Sequence, residues 1–400
     1  MKIGLCHTSV LPRRGGCETY ISSLARRLVA DGHEVHLFAC ERDAAALPSK
    51  LHFHPISMPG LPRFLRPWWF SRACRKAMDA TGLDVSLGFD KIAGVDVYYP
   101  QGGMYQASVA MSIGKHRSRL FRALLLTLKW FEPAHLSYLL LEKKQYHRPG
   151  SAVIAISDMV RRHLEEHGIS GNCVHRVPIA PPRERLLEED REGRRRRFRE
   201  KWSLSPGGPV ALFVGLNHKL KGLEPLLHAL ARPGCESIEL VVAGSPTNIV
   251  LEHLIRRKHL QNRVKFVGYC QDMRDAYFAA DFLTHPTFYD PCSNVVLEAL
   301  ACGMPVITSR HNGASELLRP TKEADVFAEG YVIPDPHEHR RLAACLIELL
   351  KPERYEACSQ AAREAARGWT FEDHYQALMN VLTQVSHAGS AAKIASRQAG

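Results

Sequence analysis

Two carboxylates eight positions apart, Asp290 and Glu298, are the side chains of this sequence best placed to hold a polar ligand between them. Asp290 precedes Pro291, which fixes a turn, and Glu298 falls about one turn into the helix that the following apolar pattern predicts. In that arrangement Asp290 would accept hydrogen bonds from sugar hydroxyls and Glu298 from those of a ribose. A loop cap and a solvated helix residue are the ordinary alternatives for each carboxylate taken alone.

The start of that predicted helix adds an anion-binding position between the two carboxylates. Ser293, Asn294 and Val295 supply backbone N–H groups without a partner inside the helix, at the positive end of the helix dipole. Phosphate groups bind at such positions. The segment therefore predicts a ligand that carries hydroxyl groups and an anionic group.

A lysine-glycine pair, Lys221-Gly222, follows an earlier predicted strand that ends at Gly215. An ammonium beside a phosphate-sized gap would neutralise a diphosphate as a point charge. The GKS or GKT of a Walker A sequence is missing, so the phosphate loop of nucleoside triphosphatases is not predicted. An exposed surface lysine is the plain alternative.

Two further glycines, Gly15 and Gly16, lie in the segment Arg14-Gly15-Gly16-Cys17-Glu18, between the first predicted strand and the first predicted helix. They let a ligand approach the backbone closely at a helix start that suits a phosphate. The dinucleotide fingerprint GxGxxG is missing, and a plain tight turn fits these residues equally well.

Parallel sheets must position these segments, because short apolar stretches alternate with helical patterns in both halves of the chain. In the first half, strands are predicted at residues 2–7, 34–39, 85–87, 95–99 and 152–156. In the second half they are predicted at residues 210–215, 238–244, 264–268, 282–285 and 306–309. The pattern predicts an α/β fold of two Rossmann-like doubly wound domains that face each other across a ligand-binding cleft.

The boundary between the domains is predicted at residues 178–200, where Pro178, Pro181 and Pro182 precede an arginine-rich run. We expect a first domain at 1–180, with a C-terminal helix at 371–387 packing back on it, and a second domain at 205–368. The arginine-rich run, 191–201, is interpreted as the solvated face of a helical linker. A polyanion-binding patch is the alternative.

The formal net charge of +12 favours a polyanionic partner, which can be nucleic acid, an anionic membrane surface or a phosphorylated substrate. Eleven cysteines without a CxxC pair argue against a disulfide framework or structural zinc and favour a reducing cytoplasm. No metal site is predicted, since the pair His52 and His54 has no obvious further ligands. No apolar stretch is long enough to span a membrane, and the first residues lack the apolar segment of a secretory signal.

Residues 113–132 predict a basic amphipathic helix that lies on an anionic membrane surface. Its apolar face would consist of Leu120, Phe121, Leu124, Leu125, Leu128 and Phe131. Its basic residues would be Lys115, Arg119, Arg122 and Lys129. A helix that faces the protein core is the alternative.

These motifs resemble those of the family 4 retaining glycosyltransferases of GT-B fold, and within them most closely the lipopolysaccharide core heptose glucosyltransferase I group. The likeness covers nearly the whole chain, and its specific part runs from Asp290 to Pro305. The motifs that carry it are Gly15-Gly16, Gly88-Phe89-Asp90-Lys91, Gly94-Val95-Asp96-Val97-Tyr98-Tyr99, Lys221-Gly222, Asp290 to Glu298, and Gly303-Met304-Pro305-Val306.

The resemblance implies a role for each candidate residue in a nucleotide-sugar donor site. Gly16 and Gly215 would let the diphosphate approach the backbone, and Lys221 would hold it and stabilise the leaving nucleotide. Asp290 would hold the donor sugar and Glu298 the ribose, with the loop at 269–273 beside the nucleobase. Lys221 and Asp290 are the residues expected to act in catalysis, without a metal or another cofactor.

The function implied is transfer of a glucose-like hexose, with retention of configuration, from a nucleotide sugar to a lipid-linked saccharide such as the lipopolysaccharide core. The donor is expected to be UDP-linked. The enzyme would work in the cytoplasm on the inner face of the cell membrane, held there by residues 113–132, and no nucleic acid partner is expected. A non-catalytic basic scaffold that binds membrane or nucleic acid is one alternative, and a GT-B sugar-nucleotide epimerase is another.

The sequence departs from the family pattern at three places. Asp290 stands where the family usually has glutamate, so the donor sugar is left open. Leu220 stands where a basic residue is common, and Lys219 would supply that charge. The segment 100–103 lacks the aspartate that follows the paired tyrosines in the similar group, so no general base is assigned.

Overall fold

Short apolar segments form the strands of two seven-stranded sheets in this computed structural model. The structure describes residues 1–12, 15–89, 91–180, 190–368 and 370–398. Arg14, Asp90, Pro181 and Pro182, which the sequence motifs include, lie outside the described residues. The strands are β1 (Lys2–Cys6), β2 (Ser9–Val10), β3 (Glu34–Ala39), β4 (Glu41–Arg42), β5 (His52–Pro55), β6 (Val85–Gly88), β7 (Val97–Tyr98), β8 (Ala152–Ala155), β9 (Val174–Arg176), β10 (Val210–Gly215), β11 (Glu239–Gly244), β12 (Val264–Gly268), β13 (Phe282–His285), β14 (Val306–Ser309), β15 (Val326–Phe327) and β16 (Gly330–Ile333).

Helices connect most of the strands, as parallel pairing requires. They are α1 (Gly16–Ala30), α2 (Arg66–Thr81), α3 (Tyr105–Ile113), α4 (Arg119–Lys129), α5 (Pro133–Tyr146), α6 (Asp158–Glu166), α7 (Arg191–Lys201), α8 (His218–Lys221), α9 (Leu223–Leu230), α10 (Ile249–Arg257), α11 (Met273–Ala279), α12 (Asn294–Ala301), α13 (His339–Glu348), α14 (Pro352–Ala365) and α15 (Phe371–Gln398). None of the helices in the described residues is long and apolar enough to cross a membrane.

The two large sheets share the same order in five of their strands and differ in the last two. The first has the order β5-β3-β1-β6-β7-β8-β9 with parallel pairing, and the second has the order β12-β11-β10-β13-β14-β16-β15, in which β15 alone is antiparallel. In each sheet the strand order reverses beside the first strand, between β1 and β6 and between β10 and β13. Ligands of doubly wound sheets bind outside the carboxyl ends of the strands at such a reversal. The predicted α/β fold with two doubly wound sheets is confirmed.

The chain divides into two units, each built around one sheet. The first consists of Met1–Ile113, Ser118–Ile179 and Glu372–Gly400, and the second of Gly114–Arg117 and Ala180–Phe371. Buried apolar side chains from one face of the second sheet pack with those of α9, α10 and α13 in a core that includes Phe213, Leu226 and Phe282.

Helix α15 belongs to the first unit although it follows the whole second unit in the chain. Its His374 is fully buried, with Nδ1 at 2.8 Å from the carbonyl oxygen of Pro178 and Nε2 at 2.6 Å from the Tyr20 hydroxyl. Because a carbonyl only accepts, Nδ1 carries the proton and Nε2 accepts from Tyr20. The helix continues beyond the expected 387 to Gln398, through a segment rich in alanine, the residue with the highest helix propensity.

The single helix predicted at 113–132 is wrong. Helix α3 ends at Ile113, the next four residues belong to the second unit, and Ser118 caps a new helix, α4, by accepting from the N–H of Phe121 at 3.3 Å. Lys115 therefore does not lie on the amphipathic helix. Gly114 explains the break, since glycine is a poor helix former.

The arginine-rich helix α7 packs within the second unit and is not a solvated linker. Arg195 lies 2.8 Å and the buried Arg199 3.0 Å from the two carboxylate oxygens of Asp281. Arg194 pairs with Asp275 of α11 at 2.5 Å. Because these three guanidinium groups are occupied by carboxylates of their own unit, neither the solvated linker nor the polyanion-binding patch describes them.

Candidate active site

Lys221 and Asp290 come together at the strand-order reversal of the second sheet. Lys221 lies just after β10 and Asp290 just after β13, and the Lys221 Nζ is 2.5 Å from the Asp290 Oδ2. Both side chains are largely buried. The structure therefore joins two residues that the sequence predicts for one site from positions far apart in the chain.

The contact depends on Gly222, the glycine that follows Lys221. Its φ of +83° is strained for other residues, and a Cβ there would lie 2.0 Å from the carbonyl oxygen of Pro286. The N–H of Phe288 donates to the carbonyl of Leu220 at 2.8 Å, which joins the same two segments. The lysine-glycine pair is thus explained by the close approach of helix α8, which carries Lys221, to the loop that carries Asp290.

His285 lies beneath this pair as the last residue of β13. It is buried, and its Nε2 is 3.5 Å from the Asp290 Oδ2. Burial lowers the pKa of His285, so the ring is neutral near pH 7. Burial alone would raise the pKa of Asp290, but the Lys221 ammonium and the His285 ring outweigh it and hold that pKa well below its ordinary value. Asp290 is therefore an anion at every pH at which the protein would be assayed.

The helix start predicted after Asp290 is present as the first turn of α12. Ser293 precedes the helix, and helix geometry leaves the N–H groups of Asn294 and Val295 without an intrahelical acceptor. The buried amide of Asn312 holds this turn, since its Oδ1 accepts from the N–H of Ser293 at 3.2 Å. The backbone of Asp290 pairs with the same segment, through an N–H bond of 2.9 Å to the carbonyl of His311.

Glu298 lies in the second turn of α12 and is held by a tyrosine. The hydroxyl of Tyr277, a buried residue of α11, donates to the Glu298 Oε2 at 2.5 Å. Burial raises the pKa of Glu298, and the bond from Tyr277 opposes that rise. The loop at 269–273, which the family resemblance places beside the nucleobase, leads directly into α11 and exposes Tyr269 at its start.

The other residues predicted for the donor site, Gly215, Lys219 and Gly16, do not all lie beside the Lys221–Asp290 pair. Gly215 ends β10 and a Cβ there would crowd the Lys221 side chain, at 3.1 Å from its Cγ. Lys219 is exposed and lines a different cavity, together with Glu224 and His228. Gly16 is the first residue of α1, in the first unit.

Three residues of the site were not predicted from the sequence, namely Tyr277, His285 and Asn312. His285 carried a usable signal, because it ends a strand at the edge where ligands of such sheets bind. Tyr277 and Asn312 act only through contacts between elements distant in sequence, and no local pattern marks them.

The arrangement is suited to binding an anionic ligand that carries hydroxyl groups. The Lys221–Asp290 pair lies just before α12, and Glu298 lies in the second turn of that helix. Preorganised charges of this kind stabilise developing charge in a transition state. Within the described residues, no group of three or more histidine, cysteine, aspartate or glutamate side chains is arranged to hold a metal ion.

Two family profiles together match most of the chain. The profile described as Glycosyltransferase Family 4 matches residues 14–180, and the profile described as Glycosyl transferases group 1 matches residues 194–365.

Two similar curated proteins span most of the chain. A probable transglycosylase of Burkholderia thailandensis is 29% identical over 336 residues, which cover 82% of this chain and 83% of the relative. The lipopolysaccharide glucosyltransferase WaaG of Escherichia coli is 26% identical over 325 residues, which cover 79% of this chain and 83% of the relative.

Solved structures share the fold over nearly the full length. A crystal structure of WaaG has a TM-score of 0.77 at 19% identity and covers 95% of this chain and 99% of its own. Anabaena HepE, solved in complex with UDP and glucose, has a TM-score of 0.71 at 16% identity and covers 96% of this chain and 100% of its own. With two doubly wound sheets, and with both family profiles matched, the chain belongs to the GT-B glycosyltransferases of the group 1 and family 4 type.

Proposed function

We propose that this glycosyltransferase transfers a glucose-like hexose from a UDP-sugar, with retention of configuration, to a lipid-linked saccharide such as the lipopolysaccharide core. The observation that carries the proposal is the Lys221–Asp290 pair at 2.5 Å, beside the start of α12. The choice of UDP is supported by HepE, which was solved with UDP and glucose. The choice of acceptor is supported by the similarity to WaaG, a lipopolysaccharide glucosyltransferase.

In the proposed complex the donor spans the site from Glu298 to Asp290. The ribose hydroxyls bond to Glu298, the diphosphate lies at the first turn of α12, and Lys221 turns from Asp290 to the diphosphate. Asp290 then accepts from hydroxyls of the sugar. As the bond from the sugar to the diphosphate breaks, negative charge grows on the leaving UDP, and Lys221 together with the helix N-terminus stabilises it.

The proposed membrane attachment has α4 as its main element. No residue of this helix is buried, and 86% of Leu120 and 53% of Leu124 are exposed. Trp130 and Phe131 extend the surface, and Leu140 of α5 exposes 62% of its side chain in the same unit. A helix that faces the protein core is therefore the wrong interpretation of this segment.

An anionic membrane surface is the occupant we propose for these side chains, which we call the apolar patch: Leu120, Phe121, Leu124, Leu128, Trp130 and Phe131. Large exposed apolar patches mark sites of protein or membrane contact. Arg119 and Arg122 belong to the same helix, and a chain of net charge +12 is attracted to anionic lipid. Each basic residue near such a surface adds about 1 kcal/mol. The active site would then work at the inner face of the cell membrane.

The non-catalytic scaffold that binds nucleic acid loses its main support. It rests on the arginine-rich run, and Arg194, Arg195 and Arg199 pair with carboxylates of the same unit. The epimerase has no observation in its favour, because both matched profiles describe glycosyltransferases.

Calorimetric titration of UDP and UDP-glucose into the protein tests the proposed donor. We expect both to bind in the micromolar range, with Glu298→Ala weakening both and Lys351→Ala, an exposed lysine of the second unit, weakening neither. Absence of binding across UDP-, GDP- and ADP-sugars would contradict the proposal.

A further inference from the structure

A basic cavity lies in the second unit, and neither residue of the Lys221–Asp290 pair lines it. It has a volume of about 270 Å³, close to the lower end of the range for small-molecule sites, about 300–1,000 Å³. Lys221, Asp290 and Glu298 do not line it. Its walls are Lys115, His116, Arg117, Lys219, Glu224, Pro225, His228, Phe288, His337 and His339.

Three basic side chains line the cavity. They are Lys115, Arg117 and Lys219, and Glu224 is the one carboxylate among the lining residues that the structure describes. Burial lowers the pKa of His116, and the neighbouring Lys219 and Lys115 lower it further. An anion in the cavity would be attracted by all three of these basic side chains.

The segment that brings two of these cations is fixed in place. The Arg117 guanidinium donates to the carbonyl of His337 at 3.2 Å, and the His337 Nε2 lies 3.0 Å from the carbonyl of Gly114. The His337 ring packs on Phe288, with ring centroids 4.8 Å apart. The cavity wall is therefore built by specific contacts between residues 114–117 and the rest of the second unit.

Two features relate the cavity to the reaction. Lys219 lies on α8 with Lys221, and Phe288 lies on the loop that carries Asp290, so a group bound in the cavity lies beside the candidate donor site. Ser118, which caps α4, follows Arg117 directly in the chain, so the cavity lining is next in sequence to the helix proposed to lie on the membrane.

We infer that this cavity is the subsite for a phosphoryl group of the acceptor, a phosphate or diphosphate ester carried either on its sugar or on its lipid. The inference rests on the proposed function, because it assigns the group to the acceptor of that transfer. The cations Lys115, Arg117 and Lys219 bind the phosphoryl oxygens, and His116 and His228 donate further hydrogen bonds. Lys219 accordingly serves the acceptor and not the donor diphosphate.

The test is a calorimetric titration of the full chain saturated with UDP, so that the donor site is occupied. Three probes are compared: inorganic phosphate, glucose 6-phosphate and geranyl diphosphate. We expect a phosphate ester to bind with one-to-one stoichiometry and more tightly than inorganic phosphate. Preference for glucose 6-phosphate assigns the group to the sugar, and preference for geranyl diphosphate assigns it to the lipid.

The variants are Lys115→Gln and the double variant Lys115→Gln/Arg117→Gln. Loss of charge-assisted bonds should weaken the preferred ester about tenfold or more in the double variant, with UDP binding unchanged. The double variant Arg256→Gln/Lys351→Gln removes the same charge from exposed positions of the second unit and should bind the ester as the wild type does.

Equal affinity for all three probes would overturn the assignment to the acceptor, and equal binding by the variants would overturn the site. A chain that binds no UDP contradicts the proposed function instead. In that case the same titrations without UDP still report whether the cavity binds phosphate.

Discussion

The Lys221 ammonium and the Asp290 carboxylate bond to each other at 2.5 Å, although the sequence assigns them to different parts of one ligand. A buried cation and a buried anion stabilise each other, and removing one leaves the other uncompensated. A diphosphate that attracts Lys221 therefore leaves Asp290 in need of new partners, which the hydroxyls of a sugar supply. Binding of the nucleotide part and of the sugar part is coupled through this pair.

Lys221→Ala should lower the rate of nucleotide release from UDP-glucose about 10²- to 10³-fold, since it removes one preorganised charge from the leaving group. The measurement is UDP release at saturating donor. Lys351→Ala, which removes a lysine that is 63% exposed, should retain full activity. Unchanged release by both Lys221→Ala and Glu298→Ala would refute the assignment of the site.

Asp290→Asn should affect the binding of the sugar part of the donor differently from the binding of its UDP part. The uncharged side chain no longer competes for Lys221, so UDP should bind at least as tightly as to the wild type. The additional affinity of UDP-glucose over UDP should be lost, because the amide is a poorer acceptor for sugar hydroxyls. Calorimetry with both ligands checks this difference, and a larger advantage of UDP-glucose in Asp290→Asn would contradict it.

Tyr277→Phe should weaken UDP binding about tenfold, which corresponds to the loss of one hydrogen bond to a carboxylate. The bond from Tyr277 lowers the pKa of Glu298 against the effect of burial, so the pKa should rise further in the variant. UDP affinity should then fall more steeply between pH 7 and pH 5.5 than in the wild type. Parallel profiles would show that the tyrosine does not act through Glu298.

Stability should fall as the pH is lowered from 6.5 to 4, in part because of His374. Burial lowers the pKa of His374 to about 4, so below pH 6.5 the unfolded chain binds a proton that the folded chain does not. The contribution is present above pH 6.5 and decreases by about 3 kcal/mol on reaching pH 4. Urea unfolding of His374→Gln should show a shallower pH dependence, and exposed His253→Gln the same dependence as the wild type.

Leu120→Ser/Leu124→Ser should reduce binding to vesicles that contain anionic phospholipid, because it removes two exposed apolar side chains of α4. Sedimentation with vesicles measures the bound fraction. The matched control is Ile249→Ser/Val250→Ser, two side chains exposed by 82% and 76% on the second unit. Equal loss by both double variants, or none by either, would contradict attachment through the apolar patch.

More of the fold than of the candidate site could be predicted from the sequence. Strands β10 and β13 have the predicted ends because each apolar stretch stops at a residue that breaks the pattern, Gly215 or the His285-Pro286 pair. Lys115 was wrongly placed on a helix because the helical spacing of apolar residues continues across Gly114, whereas the helix itself ends at Ile113.

The contacts within the site depend on tertiary structure. The bond from Tyr277 to Glu298 joins α11 to α12, and the Lys221–Asp290 contact needs the positive φ of Gly222. Neither contact produces a periodic pattern in the sequence. The sequence therefore predicted which charged residues belong to the site but not which of them contact each other.

Helix α15 has a consequence for the order in which the protein matures on the ribosome. The first unit contains Tyr20 and Pro178, whose polar groups bond His374, a residue translated only after the whole second unit. When the first part of the first unit leaves the ribosome, the surface that binds α15 is therefore still exposed. The second sheet, in contrast, has all its strands as soon as β16 has left the exit tunnel. Vectorial synthesis thus completes the second unit before the first, the reverse of their order in the gene.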